Sequence, residues 1–342
     1  MSTAKIVENL KVRAVDTKDI GVRDALTLYE FGRENPFLLM AHAAEIREHF
    51  KGKNVNLCGI VNAKSGICPE NCKFCAQSAH YCTDAPVYPL IGSDVMIGKA
   101  KEAKGFGAHM FGIITSGTRI TDEAEWDQIY AAVAGIRKIG MEPCVSLGMI
   151  DSERAHKLKK AGLFRYHHNL ETARSFFDSI CTTHAYEEDI DTVRAAKAAG
   201  LSTCSGGIIG LGETMEQRIE MAMTLKELDV DCVPVNILNP RPGTPLENMA
   251  QLSPIEILIT IAIYRFILSD RDIKLCGGKE RNLRQLLPLG ILAGCNSLMT
   301  GDYLTTQGRD PELDKEMITD LGLKAVLDCL SKEVVDEHVR CS

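Results

Sequence analysis

Three cysteines within eight residues are the strongest chemical signal in the sequence. The run CPENCKFC places Cys68, Cys72 and Cys75 at a C-x3-C-x2-C spacing, in a loop that also contains Gly66 and Pro69. Three thiolates on so short a loop can hold three corners of a [4Fe–4S] cluster and leave the fourth iron open. Structural zinc sites usually have four protein ligands, so a zinc loop and chance clustering are the weaker alternatives.

The chain as a whole is unusually rich in thiols, with 13 cysteines among 342 residues. The N-terminal run is polar, and the apolar stretch at 254–268 is interrupted by Glu256 and Arg265 and is too short to cross a membrane. We therefore expect a cytoplasmic protein with reduced thiols. In that compartment the cysteines are metal ligands, catalytic groups or core residues rather than disulfides.

Charge and composition exclude several classes of protein. Lysine and arginine total 39 and aspartate and glutamate total 46, which gives a net charge of −7. This mildly acidic balance argues against nucleic acid as a partner, and the hydropathy argues against a membrane. A hydrophobic content of 45% is enough for a large core, so a disordered chain or a small disulfide-stapled domain is excluded.

The elements that would position the cysteine loop follow a repeated pattern. An amphipathic helix ends at a glycine and an apolar strand follows at once, with the glycines at Gly107, Gly140, Gly162 and Gly200. Eight strands are predicted in this way, and eight βα units of this length predict an α/β fold, a (β/α)8 TIM barrel. A doubly wound open sheet is the second choice. The predicted strands are 56–62, 108–114, 142–147, 163–168, 202–209, 231–237, 272–276 and 294–298.

The chain is predicted to form a single domain with extensions at both ends. Residues 20–50 show the spacing of two amphipathic helices, so residues 1–50 are assigned to an N-terminal helical extension. The barrel is assigned to residues 51–325, and residues 326–342 to a C-terminal tail. The cysteine loop directly follows the first strand, at the face where such barrels keep their active sites.

A second group of thiols lies on the predicted strands themselves. Cys58, Cys144 and Cys204 fall on the first, third and fifth strands. Inward residues of alternate strands form layers in a barrel, so these three thiols could surround a buried auxiliary cluster. The alternative is that each is a small buried hydrophobic residue. Reserve ligands are Cys181, Cys232, Cys276 and Lys274, whereas Cys82, Cys295, Cys329 and Cys341 are predicted to be structural or surface thiols.

The three-cysteine loop resembles that of the radical S-adenosylmethionine enzymes, and longer runs narrow the resemblance to the biotin synthase family. The similarity extends from about residue 22 to 325. It implies a [4Fe–4S] cluster whose open iron binds S-adenosylmethionine, and a 5′-deoxyadenosyl radical that abstracts hydrogen. It also implies sulfur insertion into dethiobiotin from a second cluster within the barrel. The runs that carry it are CPENCKFCAQSAHY, RYHHNLETA, TCSGGIIGLGET and VPVNILNPRPGTPLE.

The resemblance also implies roles for individual residues. Phe74 and Ile208 match positions near the adenine, and Asn169 and Glu171 match positions that contact the cofactor ribose and the substrate. Asn236 matches a residue near the ureido ring of the substrate, and an amide can both donate to and accept from a cyclic urea. His167 stands where the better-known pattern has an asparagine, so the contact to the ureido group differs here.

The auxiliary cluster departs from the better-known pattern of three cysteines and one arginine around a [2Fe–2S] centre. Cys144 and Cys204 match two of the three cysteines, but Met110 stands at the third position and Lys274 at that of the arginine. Cys58 falls where the pattern has a small polar residue. We expect different ligation, with a sulfide-bearing four-iron cluster as one form, as in variant enzymes of anaerobes.

Two other functions compete with this interpretation. One is a different radical S-adenosylmethionine enzyme of the same branch, such as a metallocofactor maturase or a methylating or ring-forming enzyme. The other is a non-enzymatic iron–sulfur or zinc scaffold. The buried thiols favour sulfur insertion over the first, and the uninterrupted barrel pattern argues against the second. The family resemblance further implies a flavodoxin- or ferredoxin-type electron donor and a homodimer.

Overall fold

The computed structural model describes residues 3–326. The chain begins with three helices, α1 (Thr3–Asp16), α2 (Val22–Glu34) and α3 (Pro36–Lys51). The predicted pair at 20–50 corresponds to α2 and α3, and α1 was not foreseen. The three helices pack on one another through buried faces such as Leu28, Leu39 and Ile46.

A closed parallel barrel follows the three helices. Neighbouring strands around the ring pair in parallel, and the last strand of the ring pairs back with the first, with Cys58 opposite Met299. This closure excludes the open doubly wound sheet. The short β10 pairs with the start of β1 outside the ring. The strands are β1 (Asn54–Lys64), β2 (Met110–Thr115), β3 (Glu142–Ser146), β4 (Arg165–His167), β5 (Ser202–Cys204), β6 (Gly207–Ile209), β7 (Cys232–Ile237), β8 (Asp272–Leu275), β9 (Ser297–Met299) and β10 (Lys324–Ala325).

The fifth strand position of the barrel is occupied by two short strands, β5 and β6, where the sequence predicted one strand over 202–209. Cys204 of β5 pairs with Cys232, and β6 resumes the pairing at Gly207 opposite Val235. A Cβ atom on Gly206 would lie 2.2 Å from the Pro234 carbonyl oxygen, so only glycine permits this close approach. β5 and β6 together fill one strand position, so the ring has eight strand positions as predicted.

The remaining helices cover the outside of the barrel. The four glycines predicted to end helices all have positive φ, between 74° and 97°, as the left-handed cap requires. The helices are α4 (Ser93–Gly105), α5 (Glu123–Lys138), α6 (Ser152–Lys160), α7 (Arg174–Phe177), α8 (Tyr186–Ala198), α9 (Met215–Glu227), α10 (Pro254–Ile267), α11 (Lys279–Leu283), α12 (Leu287–Leu292) and α13 (Pro311–Asp320).

The hydrophobic core lies between the outer face of the barrel and the helices. On β2, for example, Phe111 and Ile113 pack outward against α4 and α5, whereas Met110 packs inward against Cys58 and Cys144. The apolar run at 254–268 forms α10, which is covered by α2, α3 and α9. Within residues 3–326, helices long and apolar enough to cross a membrane are absent. The inside of the barrel is thus the part of the fold lined by thiols and charged groups.

Candidate active site

The three-cysteine loop covers the mouth of the barrel, directly after β1. Cys68, Cys72 and Cys75 all line one cavity of about 190 Å³. The loop is closed by backbone hydrogen bonds from the Cys75 amide to the Cys72 carbonyl at 2.9 Å and from the Cys68 amide to the Gln77 carbonyl at 3.0 Å. These bonds turn the three thiols toward a common space, as a cluster with three protein ligands requires.

A second loop, residues 180–184 after α7, clamps the first one in place. The Lys73 amide donates to the Ile180 carbonyl at 3.0 Å, and the Thr182 amide donates to the Asn71 side-chain oxygen at 2.9 Å. The Asn71 side-chain nitrogen donates in turn to the Thr182 hydroxyl at 2.7 Å. The clamp brings the Cys181 sulfur to 3.7 Å from the Cys72 sulfur.

Charged groups tie the two loops together around His184. Its Nδ1 lies 2.6 Å from Oε2 of Glu70, and its Nε2 lies 3.3 Å from Asp189, which also hydrogen-bonds His168 at 2.8 Å. Burial lowers the pKa of His184, but hydrogen bonds to Asp189, Cys181 and Glu70 outweigh it and raise that pKa to about 11. The imidazole is therefore cationic at neutral pH, between two carboxylates.

The loop thiols are protonated in the metal-free protein. Burial raises the pKa of Cys68, and it raises the pKa of Cys75 to about 11. The pKa of Cys72 is raised first by its hydrogen bond to Cys181 and then by burial. Because metals bind the thiolate, iron must displace three protons here, so cluster loading is favoured at higher pH.

A larger cavity of about 320 Å³ continues from the cysteine loop into the barrel. Cys75 and Phe74 line its outer end, and Cys276 lines it deeper in the barrel. Phe74 and Ile208, both predicted near the adenine, belong to one small apolar cluster. The volume lies within the range of roughly 300–1,000 Å³ that is usual for small-molecule sites.

The predicted polar residues line these cavities, and their hydrogen bonds differ. Asn169 donates to Glu171 at 3.2 Å, and burial together with Asp189 raises the pKa of Glu171 to about 8. Asn236 is engaged with the backbone, donating to the Gly207 carbonyl at 3.3 Å and accepting from the Gly277 amide at 3.0 Å. Part of the hydrogen-bonding capacity of the Asn236 side chain is therefore already in use before any ligand binds.

The two adjacent histidines point to different partners. The Nδ1 of His167 lies 3.3 Å from the Cys204 sulfur, whereas His168 bonds Asp189 on α8. Burial, with Lys274 and Arg165, lowers the pKa of His167 to about 3. His167 is therefore a neutral imidazole that can both donate and accept.

The inner end of the barrel, which we call its floor, contains the second group of thiols. Cys58, Cys144 and Cys204 are all buried, and Cys58 and Cys144 pack around Met110. The reserve residues Cys232 and Cys276 also lie at the floor. Cys232 pairs with Cys204 across adjacent strands. Lys274 interacts with both Cys232 and Cys276. The ammonium of Lys274 faces Cys58, Cys204, Cys232 and Cys276.

Three of the floor thiols, Cys144, Cys232 and Cys276, have raised pKa values without a metal, as the loop thiols do. Burial raises the pKa of Cys144 to about 12, and a hydrogen bond to Cys204 together with burial raises the pKa of Cys232 well above its usual value. Lys274 opposes both effects, so a cation is present to offset thiolate charge. The structure thus gathers five thiols where the sequence singled out three.

Three contributors to the site were missed in the sequence. Arg165 is buried beside Met110, with its Nη1 3.8 Å from the thioether sulfur and its Nε donating to Ser202 at 3.0 Å. Glu70 and His184 hold the cysteine loop. A charged residue on an apolar strand was the available signal for Arg165, and the CTTH run placed His184 three residues after Cys181.

The other cysteines take different positions. Cys82 is exposed and Cys295 is buried in the core, as structural or surface thiols are. Cys329 and Cys341 lie outside the described residues. Cys181, considered in the sequence as a reserve ligand of the auxiliary cluster, instead lies against the three-cysteine loop and outside the floor group.

Sequence comparisons match this architecture to two families. The profile of the radical SAM superfamily matches residues 63–225, and that of the Biotin and Thiamin Synthesis associated domain matches residues 234–324. The chain is 57% identical over 286 residues to a biotin synthase of Geobacter sulfurreducens, covering 83% of this chain and 87% of that protein. It is 52% identical to one of Geotalea uraniireducens, with 94% and 98% covered. This chain belongs to the biotin synthase family.

Solved structures support the fold. The crystal structure of methylornithine synthase aligns with a TM-score of 0.79 at 21% identity, covering 92% of this chain and 97% of that chain. The FeFe-hydrogenase maturase HydG from Carboxydothermus hydrogenoformans aligns at 0.75 with 16% identity, covering 95% and 85%. At these identities the likeness establishes the (β/α)8 architecture alone.

Biotin synthase and radical SAM membership imply a [4Fe–4S] cluster, S-adenosylmethionine and an auxiliary iron–sulfur cluster. The residues present fit these groups. Besides the two sets of thiols, Asn169 Oδ1 and Thr115 Oγ1 are buried and have no hydrogen-bond partner within the described part of the chain, and both residues line the cavity of the three loop cysteines. Such unpaired polar atoms suit a ligand with amino and hydroxyl groups.

Proposed function

We propose that this chain converts dethiobiotin to biotin by inserting one sulfur atom between two unactivated carbons. The observation that carries the proposal is a continuous path, because the cavity that begins at Cys75 of the loop reaches Cys276 of the floor thiols. When bound, the loop cluster with S-adenosylmethionine supplies a hydrogen-abstracting radical, and the auxiliary cluster supplies sulfur. The substrate belongs between the two.

At the outer end, the chain's own residues would bind and orient the cofactor. Cys68, Cys72 and Cys75 hold the cluster by three thiolates and leave one iron for S-adenosylmethionine. The unpaired Asn169 oxygen and the Glu171 carboxyl bind polar groups of the cofactor. Phe74 and Ile208, which share an apolar cluster, supply a flat apolar contact for the adenine.

In the middle of the cavity, His167 and Asn236 would contact the ureido ring of dethiobiotin. Because Nδ1 of the neutral His167 imidazole lies against the Cys204 sulfur, its Nε2 remains to donate to or accept from the ureido group in place of an asparagine. Asn236 retains one amide hydrogen and one lone pair beyond its two backbone bonds. Together, Nε2 of His167 and the remaining amide hydrogen and lone pair of Asn236 can hydrogen-bond a cyclic urea.

At the inner end, we assign Cys58, Cys144 and Cys204 to the auxiliary cluster, with Cys232 and Cys276 as further ligands. Lys274 and Arg165 offset the negative charge of the bound thiolates. Five thiols in place of three support a centre that differs from the better-known [2Fe–2S] type, such as a sulfide-bearing four-iron cluster.

Delivery of electrons and assembly complete the proposal. We assign a flavodoxin- or ferredoxin-type electron donor and a homodimeric state, both carried over from the family. The three loop cysteines are partly exposed, which supports a short electron path from a docked donor. The many free thiols support a reducing compartment, such as the cytoplasm.

The test is anaerobic reconstitution of the full chain, followed by incubation with S-adenosylmethionine, a reductant and dethiobiotin. We expect biotin and 5′-deoxyadenosine by mass spectrometry, and clearly more than four irons per chain, with two kinds of cluster in Mössbauer spectra. A matched sample without dethiobiotin gives no biotin. Cofactor cleavage without biotin would instead indicate another radical enzyme of this branch.

A further inference from the structure

The 180–184 clamp contains metal-binding groups that the proposed reaction does not use. Cys181 is buried, 3.7 Å from the Cys72 sulfur and 3.4 Å from Nδ1 of His184. Glu70 completes the group, because Oε2 of Glu70 lies 2.6 Å from the same nitrogen. Ligand atoms of Glu70, Cys181 and His184 all lie within 4.8 Å of one another.

Two distances in this group, between the Cys72 and Cys181 sulfurs and between the Cys181 sulfur and His184 Nδ1, are those of ligands on one tetrahedral ion. With Zn–S about 2.3 Å and Zn–N about 2.0–2.1 Å, two thiolates on zinc lie roughly 3.8 Å apart, and a thiolate and an imidazole nitrogen roughly 3.5 Å apart. The observed separations are 3.7 Å and 3.4 Å. Glu70 sits at hydrogen-bond distance, so its carboxylate must withdraw by about 0.7 Å when a metal replaces the shared proton.

The surroundings of His184 also match a metal site. A histidine that binds a metal through one nitrogen usually donates its other N–H to a carboxylate, which fixes the ring. Here Nδ1 faces the Cys181 sulfur and the Glu70 carboxylate, and Nε2 donates to the buried Asp189 at 3.3 Å. Asp189 is itself held by His168 at 2.8 Å, so the supporting contact is already in place.

We propose that the cluster-free protein binds one zinc ion through Cys72, Cys181, His184 and Glu70. Two thiolates and an imidazole favour zinc over magnesium or calcium, and zinc binds such ligands more tightly than ferrous iron. Cys72 belongs to both sites, so zinc and the radical cluster exclude each other. The zinc site stands on its own geometry, whereas the exclusion rests on the proposed role of Cys72 in the cluster.

The test titrates Co²⁺, a spectroscopic substitute for zinc, into the anaerobic, cluster-free full chain. We expect one equivalent that shows thiolate-to-cobalt charge transfer and tetrahedral bands and is displaced by Zn²⁺. Cys181→Ala loses this equivalent, with affinity reduced by about a hundredfold or more. Cys68→Ala, a loop thiol outside the proposed set, retains it. Subtracting the cobalt spectrum of Cys181→Ala from that of Cys68→Ala removes the contribution of cobalt bound to the floor thiols.

Cluster loading gives the reciprocal result, and its uptake shows that Cys181→Ala is folded. Cys181→Ala takes up the loop cluster as the wild type does, Cys68→Ala does not, and Cys72→Ala loses both metals. Prior zinc slows reconstitution of the wild type but not of Cys181→Ala. If Cys181→Ala does not fold, His184→Gln makes the same cobalt prediction.

Two results would overturn the zinc site. One is a cobalt spectrum of Cys181→Ala that equals that of the wild type. The other is loss of the cobalt equivalent in Cys68→Ala, which would place the metal on the three-cysteine loop. A failure of the radical reaction itself leaves the cobalt titration unaffected, so the two proposals fail separately.

Discussion

The two groups of thiols in this barrel are positioned in opposite ways. Cys68, Cys72 and Cys75 are partly exposed on an irregular loop whose backbone includes a positive φ of 50° at Ile67. The floor thiols are 6% exposed or less and lie on or directly after strands, where the pairing of each strand with both neighbours fixes their direction. One group is open to ligands from outside, and the other is enclosed by the fold.

The difference shows what each site needs from the protein. Strand register sets the direction of the floor thiols, and Lys274 and Arg165 supply the compensating charge. The loop has no such framework and depends on hydrogen bonds from the 180–184 clamp to order it. An exposed loop is also the arrangement that admits both a large cofactor and an electron donor. We therefore expect substitutions in the two regions to separate cofactor cleavage from sulfur transfer.

Removal of a loop thiol has the largest expected effect. Cys72→Ala should abolish reductive cleavage of S-adenosylmethionine, because two thiolates cannot hold the cluster that delivers the electron. The measurement is 5′-deoxyadenosine formed with dithionite, together with the iron content of the protein. Cys82→Ala, an exposed thiol outside both groups, serves as the control and should retain cleavage. Normal cleavage by Cys72→Ala would remove the loop from the proposed mechanism.

Removal of a floor thiol should have a narrower effect. Cys204→Ala should still form 5′-deoxyadenosine but no biotin, because the sulfur-donating cluster loses a ligand while the loop stays intact. Both products are measured in one reaction by mass spectrometry. Cys295→Ala, another buried thiol away from the floor group, should behave as the wild type. Biotin formed by Cys204→Ala at the wild-type yield would refute its assignment to the auxiliary cluster.

Weakening the clamp should affect the loop cluster alone. Asn71→Ala removes the 2.7 Å and 2.9 Å hydrogen bonds to Thr182. Because each bond contributes about 0.5–1.5 kcal/mol, the loop should open roughly 5- to 150-fold more often. The loop cluster should then be lost faster to a chelator, followed by absorbance. The exposed Asn248→Ala is the control. Equal loss from both clusters would contradict a local role for the clamp.

The sequence predicted the barrel and the grouping of the three loop cysteines, which line one cavity, because both depend on local patterns. Repeated helix–glycine–strand units predict the eight strand positions, and C-x3-C-x2-C spacing predicts a cluster loop. The break at Gly206 was missed because it arises from contact with Pro234, a residue on another strand. The same limit applies to Glu70 and His184, which are 114 positions apart and meet only in the folded chain.

The arrangement of the floor thiols could be predicted only in part from the sequence. Alternation along a strand placed Cys58, Cys144 and Cys204 inside the barrel, but the phase of each strand was a hypothesis until register fixed it. Cys232 joins them because it pairs with Cys204, which local sequence cannot reveal. Arg165 was overlooked for a similar reason, since its partners Met110 and Ser202 come from two other strands, β2 and β5.

The smallest effect should appear in the pH dependence of stability, through Glu171 at the boundary between the two regions. Its pKa is raised to about 8 in the folded protein, whereas an unfolded glutamate titrates near 4.3. Between these values the folded state holds a proton that the unfolded chain has lost, so this stabilisation is complete below about pH 4 and disappears as pH rises through 8. Glu171→Gln has no such proton.

We therefore expect the melting temperature of the metal-free wild type, relative to Glu171→Gln, to fall by about 2–4 °C between pH 5 and pH 9. Glu216 is exposed and its pKa is lowered by hydrogen bonds to its own backbone and to Thr214, so Glu216→Gln should move the difference the other way. If the melting temperatures of wild type and Glu171→Gln change with pH in parallel, the Glu171 carboxyl is ionised throughout this pH range. A cavity built for S-adenosylmethionine would then present a charge at this position, rather than a proton to donate.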